Sequence, residues 1–444
     1  MIPYPSSRSS GIDWLGDIPE HWEINKLKHL TKVKLSNVDK KSKENEPVVQ
    51  LCNYVDIYYN ERITGDIVFM VATARPDQVQ ELSLESGDVI ITKDSETPDD
   101  IAVPAYVPAT LPGVVCGYHL ALIRPSQGKV IGNYIFRSFM ANGLKDQFEF
   151  SANGITRFGI SKFTIENALF LVPPLPEQIT IVNYLDRKTA QIDATIKLKE
   201  RQIELLREKR IVLISQAVTK GLNPDADMRD SGIGWLGEIP AHWKLKRIKH
   251  LAEVNRAALS EETDPNYEFF YIDIGNVSLG EISNKIRKIR FENAPSRARR
   301  ILQAGDVLVS TVRTYLKAIA HFSMNGDEFI ASTGFAVISP KLINDRYFAY
   351  FMMCEKVIDR ISALSVGVSY PAVNSSDVAN IPVWYPPVLD EQIEIAMYID
   401  KKTIEIDNII ATTQKIINLL YEFRASLISA AVTGKVDVRE EVGE

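Results

Sequence analysis

The chain of 444 residues contains few cysteines: Cys52, Cys116 and Cys354 are the three, and they lie far apart. An odd number of widely separated cysteines excludes a disulfide framework and provides no pair with the spacing of a zinc site. No apolar run approaches the roughly 18 residues that a membrane span requires, and residues 1–8 contain no apolar signal core. We therefore expect a protein of the reducing cytoplasm that contacts no membrane and holds no metal.

Catalytic motifs are also missing. The sequence has no glycine-rich phosphate loop, no H-E-x-x-H zinc motif, no C-x-x-C pair and no G-x-G-x-x-G dinucleotide fingerprint. Four of the six histidines form repeated pairs, His21 with His242 and His29 with His250. A histidine repeated within an amphipathic segment is typical of a structural role. These observations predict that the chain is not an enzyme by itself and has no catalytic residues.

The total charge excludes less than it first suggests. With 51 basic and 57 acidic residues the formal net charge is −6, and a negative total charge argues against a nucleic-acid partner. Binding to phosphates, however, depends on local clusters of Lys and Arg rather than on the total. An acidic chain with a basic region at 231–388 therefore remains compatible with DNA binding.

The most informative feature that is present is an internal duplication. Residues 10–30 and 231–251 are identical at 13 of 21 positions, including both tryptophans of W-L-G-x-I-P-x-H-W. A second related pair begins at Glu177 (E-Q-I-T-I-V-N-Y-L-D) and at Glu391 (E-Q-I-E-I-A-M-Y-I-D). The offsets of 221 and 214 residues have the size of a whole domain. The sequence therefore predicts two similar halves and a binding partner that also has two similar parts.

Each half begins with a region of mixed composition. Short β-rich runs bounded by turn residues recur at equivalent places, as in G-D-V-I-I-T from Gly87 and G-D-V-L-V-S from Gly305. Helical candidates lie between these runs, for example at 133–144 and 345–361. This mixture predicts an α+β domain with a mixed, twisted sheet in each half.

A long helical segment ends each half. Apolar residues recur there at alternating spacings of four and three, which is typical of a coiled-coil seam. The apolar members of the two predicted seams are Leu185, Ile192, Ile196, Ile203, Leu206 and Leu213 in the first, and Ile399, Ile406, Ile410, Ile417, Leu420 and Leu427 in the second. With their polar and alanine positions the seams run from Leu185 to Ala217 and from Ile399 to Ala431, so each spans 33 residues, or roughly 48 Å of helix. Thr and Arg occupy equivalent positions in both seams, which favours pairing of the two helices with each other.

These patterns predict six segments. We expect a first globular domain at 1–175, a first long helix at 176–221, a linker at 222–230, a second globular domain at 231–388, a second long helix at 389–434 and a C-terminal tail at 435–444. The linker is too short to run back along a helix of this length, so the helices should be antiparallel. The predicted fold class is α+β, with two pseudo-symmetric domains separated by an antiparallel coiled coil.

Basic residues concentrate in one part of the second domain. Lys and Arg alternate with Ile in K-I-R-K-I-R from Lys285, which predicts a strand with one basic face. The guanidinium group of Arg suits guanine edges and phosphates, whereas a solvated face is the alternative explanation for such a run. The candidates for DNA contact in this domain are Lys285, Arg287, Lys288, Arg290, Arg297, Arg299, Arg300, Arg313, Tyr315 and Lys317.

The first domain offers fewer candidates for DNA contact, namely Arg75, Lys93 and Arg157. Arg157 lies in G-I-T-R-F-G from Gly154, whose glycines would let the backbone approach a phosphate. A plain turn with a surface arginine explains this loop equally well. The two halves differ most in these regions, which suits a protein that binds two different half-sites.

The chain as a whole resembles the specificity subunit of a type I DNA restriction–modification system. The resemblance rests on the duplicated W-L-G-x-I-P-x-H-W segments, the G-D-V strand starts, the G-I-T-R-F-G loop and the P-P-L-P-E-Q helix entry from Pro173. The second half departs from the loop pattern, because Tyr370 stands where the first half has Arg157. This departure puts in doubt a phosphate role shared by both loops.

The resemblance implies two target-recognition domains, each of which reads one half of a split, asymmetric sequence in double-stranded DNA. It also implies that the helices act as a fixed spacer and dock two methyltransferase subunits and the restriction subunits. S-adenosylmethionine, ATP and magnesium would then be bound by those partners, and no cofactor by this chain. A coiled-coil assembly scaffold that binds no DNA is the alternative that the residues leave open.

Overall fold

The structure, a computed structural model, describes residues 2–324 and 328–439. Its contacts divide the chain into two compact units: unit 1 comprises Met1–Lys199 with Lys415–Glu444, and unit 2 comprises Glu200–Gln414. Each unit therefore contains one globular region and a segment of each long helix. The predicted domain boundaries, which separate the helices from the globular regions, stay a prediction. Residues 440–444 of the predicted tail lie outside the described residues.

Unit 1 combines short strands with short helices. Its strands are β1 (Ser7–Ser9), β2 (Asp17–Pro19), β3 (Glu23–Lys26), β4 (Thr31–Leu35), β5 (Val48–Cys52), β6 (Met70–Thr73), β7 (Val89–Thr92), β8 (Asp94–Ser95), β9 (Pro104–Tyr106), β10 (Val114–Cys116), β11 (Leu120–Pro125), β12 (Phe158–Gly159) and β13 (Leu169–Val172). Its helices are α1 (Leu27–Leu30), α2 (Tyr54–Tyr58), α3 (Pro76–Leu82), α4 (Gly132–Phe139), α5 (Asn142–Glu149), α6 (Lys162–Asn167) and the first part of α7 (Leu175–Lys220).

Unit 2 has the same kinds of element. Its strands are β14 (Met228–Asp230), β15 (Glu238–Pro240), β16 (Lys244–Arg247), β17 (Ala252–Val254), β18 (Glu268–Ile272), β19 (Val277–Ser278), β20 (Glu281–Ile282), β21 (Arg287–Arg290), β22 (Ala298–Ile301), β23 (Val307–Ser310), β24 (Ile319–His321), β25 (Phe329–Ser332), β26 (Phe335–Pro340) and β27 (Pro382–Tyr385). Its helices are α8 (Asp345–Met352), α9 (Glu355–Leu364), α10 (Ser375–Ala379) and the first part of α11 (Leu389–Val432).

The sheets of the two units have equivalent topologies. An antiparallel sheet has the order β4-β11-β7-β9 in unit 1 and β17-β26-β23-β24 in unit 2. A second sheet has the order β10-β5-β6 in unit 1 and β25-β18-β21 in unit 2, where β22 adds a further edge strand next to β25. In both, the first pair is parallel and the second is antiparallel. The duplication predicted from the sequence is therefore a duplication of topology, and the predicted α+β class is confirmed.

The equivalent G-D-V runs form the central strands β7 and β23. All four residues of each strand are buried, which explains their continuous apolar character. Each strand follows a turn whose glycine has a left-handed backbone, with φ of 93° at Gly87 and 92° at Gly305. The aspartate that follows each glycine closes this turn, because Asp88 and Asp306 each accept a hydrogen bond from the backbone N–H three residues earlier.

The long helices carry the predicted seams. The apolar seam residues are buried or half-buried, and so are Thr189 and Thr403 at their equivalent positions. Each of these threonines donates its hydroxyl hydrogen to the carbonyl four residues earlier, which satisfies a buried polar group within its own helix. Among the described residues, neither of these helices nor any other is apolar enough over a sufficient length to cross a membrane.

A repeated tryptophan marks the point in each unit where one long helix begins and the other ends. In unit 1, Trp22 Nε1 donates to Glu177 in the first turn of α7, and Gly434 follows the end of α11 directly against the Trp22 ring. In unit 2, Trp243 Nε1 donates to Glu391 in the first turn of α11, and Gly221 after α7 faces the Trp243 ring. The helix segments therefore run antiparallel within each unit, as predicted.

Candidate nucleic-acid interface

The basic run of the second half forms β21, an edge strand of unit 2. It pairs with β18 so that Arg290 lies opposite Glu268 and Lys288 lies opposite Phe270. Glu268 forms ion pairs with both cations, at 3.3 Å to Arg290 Nε and 3.5 Å to Lys288 Nζ. The hydrogen bond from Arg290 is the largest cause of a lowered pKa at Glu268. Because the groups are exposed, these pairs contribute little stability and the cations can exchange Glu268 for a phosphate.

The expectation of one basic face on this strand is wrong. Neighbouring residues of a strand project to opposite sides, so Arg287 and Lys288 point away from each other. The two isoleucines of the run, Ile286 and Ile289, are half-buried against different apolar clusters. Isoleucine recurs every third residue in K-I-R-K-I-R, whereas the side chains of a strand alternate between two faces with a period of two. The strand therefore cannot place all its basic residues on one face and its isoleucines on the other. At an edge of the sheet, the basic side chains are exposed on both sides.

The equivalent edge of unit 1 has a different chemistry. β6 has the place next to β5 that β21 has next to β18, but it reads M-V-A-T and exposes Val71. Arg75 follows this strand at the start of α3, where its guanidinium donates two hydrogen bonds of 3.0 Å to Asp77. The same edge is therefore basic in unit 2 and apolar in unit 1.

The remaining arginines of the predicted basic cluster lie on or beside β22. Arg297 is exposed, and the guanidinium carbon of Arg299 lies 4.8 Å over the Phe291 ring. Burial lowers the pKa of Arg300, whose Nε has no hydrogen-bond partner among the described residues. Because β21 and β22 are opposite edges of a four-stranded sheet, about 14 Å separates them. The structure thus divides the cluster between two edges.

Three predicted residues come together in the loop between β23 and β24. A 3₁₀ turn, Thr314–Leu316, is flanked by Arg313 and Lys317 in left-handed conformations, with φ of 50° and 53°. Such a conformation costs a non-glycine residue about 1–2 kcal/mol, and this strain is concentrated at functional sites. The loop exposes the side chains of Arg313, Tyr315 and Lys317.

A short hairpin at 366–372 lies beside this loop, and unit 1 has an equivalent hairpin at 153–159; we call these two segments the apical hairpins. Arg157 is the fifth residue of the first apical hairpin and is exposed. Tyr370 is the fifth residue of the second, and the guanidinium carbon of Arg313 lies 5.0 Å over its ring. Tyr370 was not among the predicted contact residues, because its contact with Arg313 joins segments 57 residues apart.

Unit 1 contains a cavity beside its apical hairpin. The cavity volume is about 660 Å³. Its lining includes the predicted contact residue Arg157, the polar side chains of Asp94 and His119, and four tyrosines, namely Tyr54, Tyr58, Tyr59 and Tyr118. The rings of Tyr54 and Tyr58 are stacked at 5.5 Å on α2. These aromatic residues were not among the predicted contacts, although the run Y-V-D-I-Y-Y from Tyr54 was a signal for three of them.

Lys93 belongs to a compact charged group at this cavity. Its Nζ lies 2.6 Å from Asp94 Oδ2, and His119 Nδ1 lies 2.6 Å from the same oxygen. Burial alone would raise the pKa of Asp94, but the hydrogen bonds from Lys93 and His119 outweigh burial and lower it. Lys93 Nζ also lies 5.2 Å from the centre of the Tyr118 ring. Unit 1 therefore presents hydrogen-bond acceptors and aromatic rings, whereas unit 2 presents mainly cationic donors.

These features define a class of protein. Two topologically equivalent units, with basic or aromatic surfaces that differ at equivalent places, are typical of a protein that recognises nucleic acid in two parts. Within the described residues, no group of three His, Cys, Asp or Glu side chains is arranged to hold a metal ion.

The family model described as "Type I restriction modification DNA specificity domain" matches residues 19–206 and 240–421. The chain therefore belongs to this family, and its function is the recognition of DNA in a type I restriction–modification system. The match decides between the two hypotheses from the sequence in favour of DNA recognition. Specificity subunits of this family are generally non-catalytic.

The chain is similar along nearly its whole length to two specificity subunits from Methanocaldococcus jannaschii. It is 22% identical over 436 residues to the putative MjaX subunit, with 96% of each chain covered, and 22% identical over 436 residues to the MjaVIII subunit, with 95% and 94% covered. It is also 23% identical over 299 residues to the EcoBI specificity subunit of Escherichia coli, with 64% and 62% covered.

Two solved structures have a similar fold. A chain from work on complex assembly and conformational transition of the type I R-M system gives a TM-score of 0.69 at 15% identity, covering 94% of this chain and 99% of that one. The HsdS subunit from Thermoanaerobacter tengcongensis gives 0.55 at 17% identity, covering 94% and 98%. At these identities the likeness concerns the fold alone.

Proposed function

We propose that each unit reads one half of a split, asymmetric sequence in double-stranded DNA. The observation that carries this proposal is the contrast between β6 and β21, which have equivalent places but apolar and basic side chains respectively. A protein that read a symmetric target would need the same chemistry at both edges. Different chemistry on a shared scaffold supports the recognition of two different half-sites.

The two long helices would set the distance between the half-sites. Each predicted seam corresponds to roughly 48 Å of helix, compared with 34–36 Å for one turn of DNA. Half-sites centred about one turn apart, or slightly more, fit this length. Binding would begin with phosphate contacts that weaken steeply with salt, and base contacts would then discriminate by about 1–3 kcal/mol for each good bidentate pair.

We infer that the long helices also dock two methyltransferase subunits, together with restriction subunits. Outside its seam, the α11 segment in unit 1 exposes Ile416, Leu419 and Phe423 at spacings of three and four. A second apolar stripe on one helix supports packing against a helix of another protein.

The partner subunits would bind S-adenosylmethionine, ATP and magnesium and perform catalysis in the cytoplasm, where the cell's DNA is held. A methylated adenine would be flipped into the methyltransferase pocket.

A domain exchange tests the bipartite reading. Residues 1–175 are replaced by the equivalent region of a relative, the chain is co-expressed with its methyltransferase subunit, and methylated adenines are mapped across a genome by single-molecule sequencing. We expect one half of the methylated motif to change while the other half and the spacing stay the same. A change in both halves, or an unchanged motif from an assembled complex, would contradict the two-unit reading.

A further inference from the structure

The apical hairpins are closed by the same backbone hydrogen bonds in both units. In each, the first and seventh residues exchange two backbone hydrogen bonds, at 3.1 and 3.0 Å between Asn153 and Gly159 and at 2.8 and 3.0 Å between Val366 and Ala372. The sixth residue contacts the loop after the central strand in both units. Phe158 pairs with Ser95 in unit 1, and in unit 2 the carbonyl of Pro371 accepts from the Arg313 N–H at 2.8 Å.

The second residue of each apical hairpin has to be glycine. Gly154 has φ of 154° and Gly367 has φ of 115°, which favour a residue without Cβ. A Cβ at Gly154 would lie 1.9 Å from the carbonyl oxygen of Arg157, and one at Gly367 would lie 3.1 Å from that of Tyr370. Both hairpins therefore fold back tightly on their fifth residue.

This tight turn projects a β-branched aliphatic side chain from each unit. Ile155 is 95% exposed and Val368 is 101% exposed, so neither contributes to a core. A hydroxyl residue follows each of them, Thr156 in unit 1 and Ser369 in unit 2. Folding does not explain an aliphatic residue held in water at the same place in both units, whereas contact with a partner does.

One arginine is present at each hairpin, but it comes from a different segment in each unit. Arg157 is the fifth residue in unit 1, whereas the fifth residue in unit 2 is Tyr370 and the cation stacked on it is Arg313. The substitution of Tyr for Arg that the sequence shows is thus compensated by a neighbouring loop. In unit 2 the two adjacent segments, 311–318 and 366–372, contain two basic residues and no carboxylate.

We propose that the two apical hairpins are equivalent contacts to the deoxyribose–phosphate backbone of DNA and that they position each unit without reading its sequence. The inference rests on the proposed bipartite function. An aliphatic tip packs against the carbons of deoxyribose, while the adjacent hydroxyl and guanidinium donate to phosphate oxygens, which are the same at every sequence. An element shared by two units suits this task, and the edges β6 and β21, which differ, suit base reading.

The charge around the hairpins predicts unequal strength. In unit 1, Asp39, Asp94, Glu96 and Asp100 line the cavity that also contains Arg157, and all four carboxylates repel a phosphate. Their charges are partly compensated, because Lys93 and His119 bind Asp94 and Tyr58 is hydrogen-bonded to Asp100. Arg313, with no carboxylate in its loop, therefore makes the stronger contact, and Arg157 the weaker one.

The test uses the full chain assembled with its methyltransferase subunits. Affinity is measured by fluorescence anisotropy against salt for two duplexes, one with the methylated motif and one with the same bases shuffled. At 0.1 M salt, Arg313→Ala should weaken binding to both duplexes by the same factor, roughly fivefold to tenfold for one lost phosphate contact. The slope of log affinity against log salt should fall by about one. Arg157→Ala and Val368→Ser should also weaken both duplexes equally, and the methylated motif should stay the same in all three variants.

The matched control is Leu342→Ser, which removes a 67% exposed aliphatic residue from another surface of unit 2 and should leave affinity unchanged. A changed motif in the second half-site of Arg313→Ala would overturn the proposal, because Arg313 would then read bases. Unchanged DNA affinity in the three variants would overturn the proposal as well. If the variants instead lose their methyltransferase subunits while DNA affinity stays unchanged, the hairpins are protein-docking sites. If the wild-type complex methylates no split motif, the bipartite function itself fails, independently of these variants.

Discussion

Arg424 on α11 and Asp193 on α7 form a two-point ion pair in unit 1, with 2.8 Å between Nε and Oδ1 and 3.2 Å between Nη2 and Oδ2. Glu61 of the globular region lies 2.9 Å from the same Nη2. In unit 2 the corresponding pair joins Arg210 on α7 to Asp407 on α11 at 3.5 Å. The two units thus use the same pair with the helices exchanged, but among the residues that the structure describes only the pair in unit 1 also involves a carboxylate of the globular region.

This difference predicts unequal effects of removing the two arginines. Arg424 is mostly buried, whereas its acidic partners are 42% and 49% exposed, so solvent screening limits the loss. We expect Arg424→Ala to destabilise unit 1 by about 1–2 kcal/mol and Arg210→Ala to cost unit 2 less than about 1 kcal/mol. Hydrogen–deuterium exchange of the α11 and α7 amides near each site measures both. Equal protection in the two variants would argue against the role of Glu61.

A second prediction concerns Glu177, whose carboxylate accepts hydrogen bonds from His21 and Trp22, the His-Trp pair that is repeated in unit 2. It accepts hydrogen bonds from Tyr4 at 2.6 Å, His21 at 2.7 Å and Trp22 at 3.0 Å, and it is 7% exposed. Its equivalent Glu391 is 31% exposed and bonds to His242 and Trp243. We expect Glu177→Ala to destabilise unit 1 by about 2–3 kcal/mol, because two buried donors, Tyr4 and Trp22, and the more exposed His21 lose their shared acceptor.

The matched variant Glu391→Ala should cost about 1 kcal/mol, since its site is wetter and has fewer donors. Limited proteolysis of the full chain, with cleavage sites located by mass spectrometry, compares the two units in one experiment. Faster cleavage in unit 1 of Glu177→Ala than in unit 2 of Glu391→Ala is the expected result. The reverse order would show that the depth of burial does not determine the contribution of this carboxylate.

A third prediction is a pH dependence centred on Asp186 of α7. Its carboxylate accepts from Arg137 at 2.7 Å and from Arg62 at 2.8 Å. Burial alone would raise its pKa, but the hydrogen bond and charge of Arg137, followed by those of Arg62, outweigh burial and lower it. A pKa that is lower in the folded state means that Asp186 contributes stability above its unfolded value of about 4, and that this stability is lost as pH falls through the folded value.

Asp186→Asn should therefore be less stable than the wild type at pH 7, and the difference should shrink as the pH falls below about 4. Urea midpoints at a series of pH values measure this convergence, followed by a probe in unit 1. Parallel curves for the two proteins over the whole range would mean that the ionisation of Asp186 is not linked to folding.

The sequence determines the scaffold of this protein more fully than its reading surfaces. The seams and the G-D-V strands were predictable because their apolar spacing reflects local burial in a helix or a strand. The basic strand was predicted in the right place. The prediction that its basic residues share one face was wrong, because the run repeats every three residues and strand side chains alternate every two. The stacking of Arg313 on Tyr370 was not predictable, because it depends on two loops that meet only in the folded unit. Three of the tyrosines around the cavity of unit 1 lie in one local run from Tyr54, which was a signal in the sequence, but that they line a cavity is seen only in the folded unit.

The last prediction concerns base reading at the equivalent edges. Arg287 opens β21 and lies opposite Tyr271, and Met70 opens β6 opposite Leu51 in the same register. Arg287→Ala should relax discrimination at one position of the second half-site by about 1–3 kcal/mol, the contribution of one bidentate contact to guanine. The first half-site should be unaffected.

Met70→Ala is the matched variant, because it shortens the equivalent side chain of unit 1 and should alter only the first half-site. Genome-wide mapping of methylated adenines for both variants gives the degree of relaxation at each motif position. Weakened methylation at all sites without relaxation would assign Arg287 to a phosphate contact, because a phosphate contact lowers affinity uniformly. Relaxation in the wrong half-site by either variant would contradict the assignment of one half-site to each unit, since β21 and β6 belong to different units.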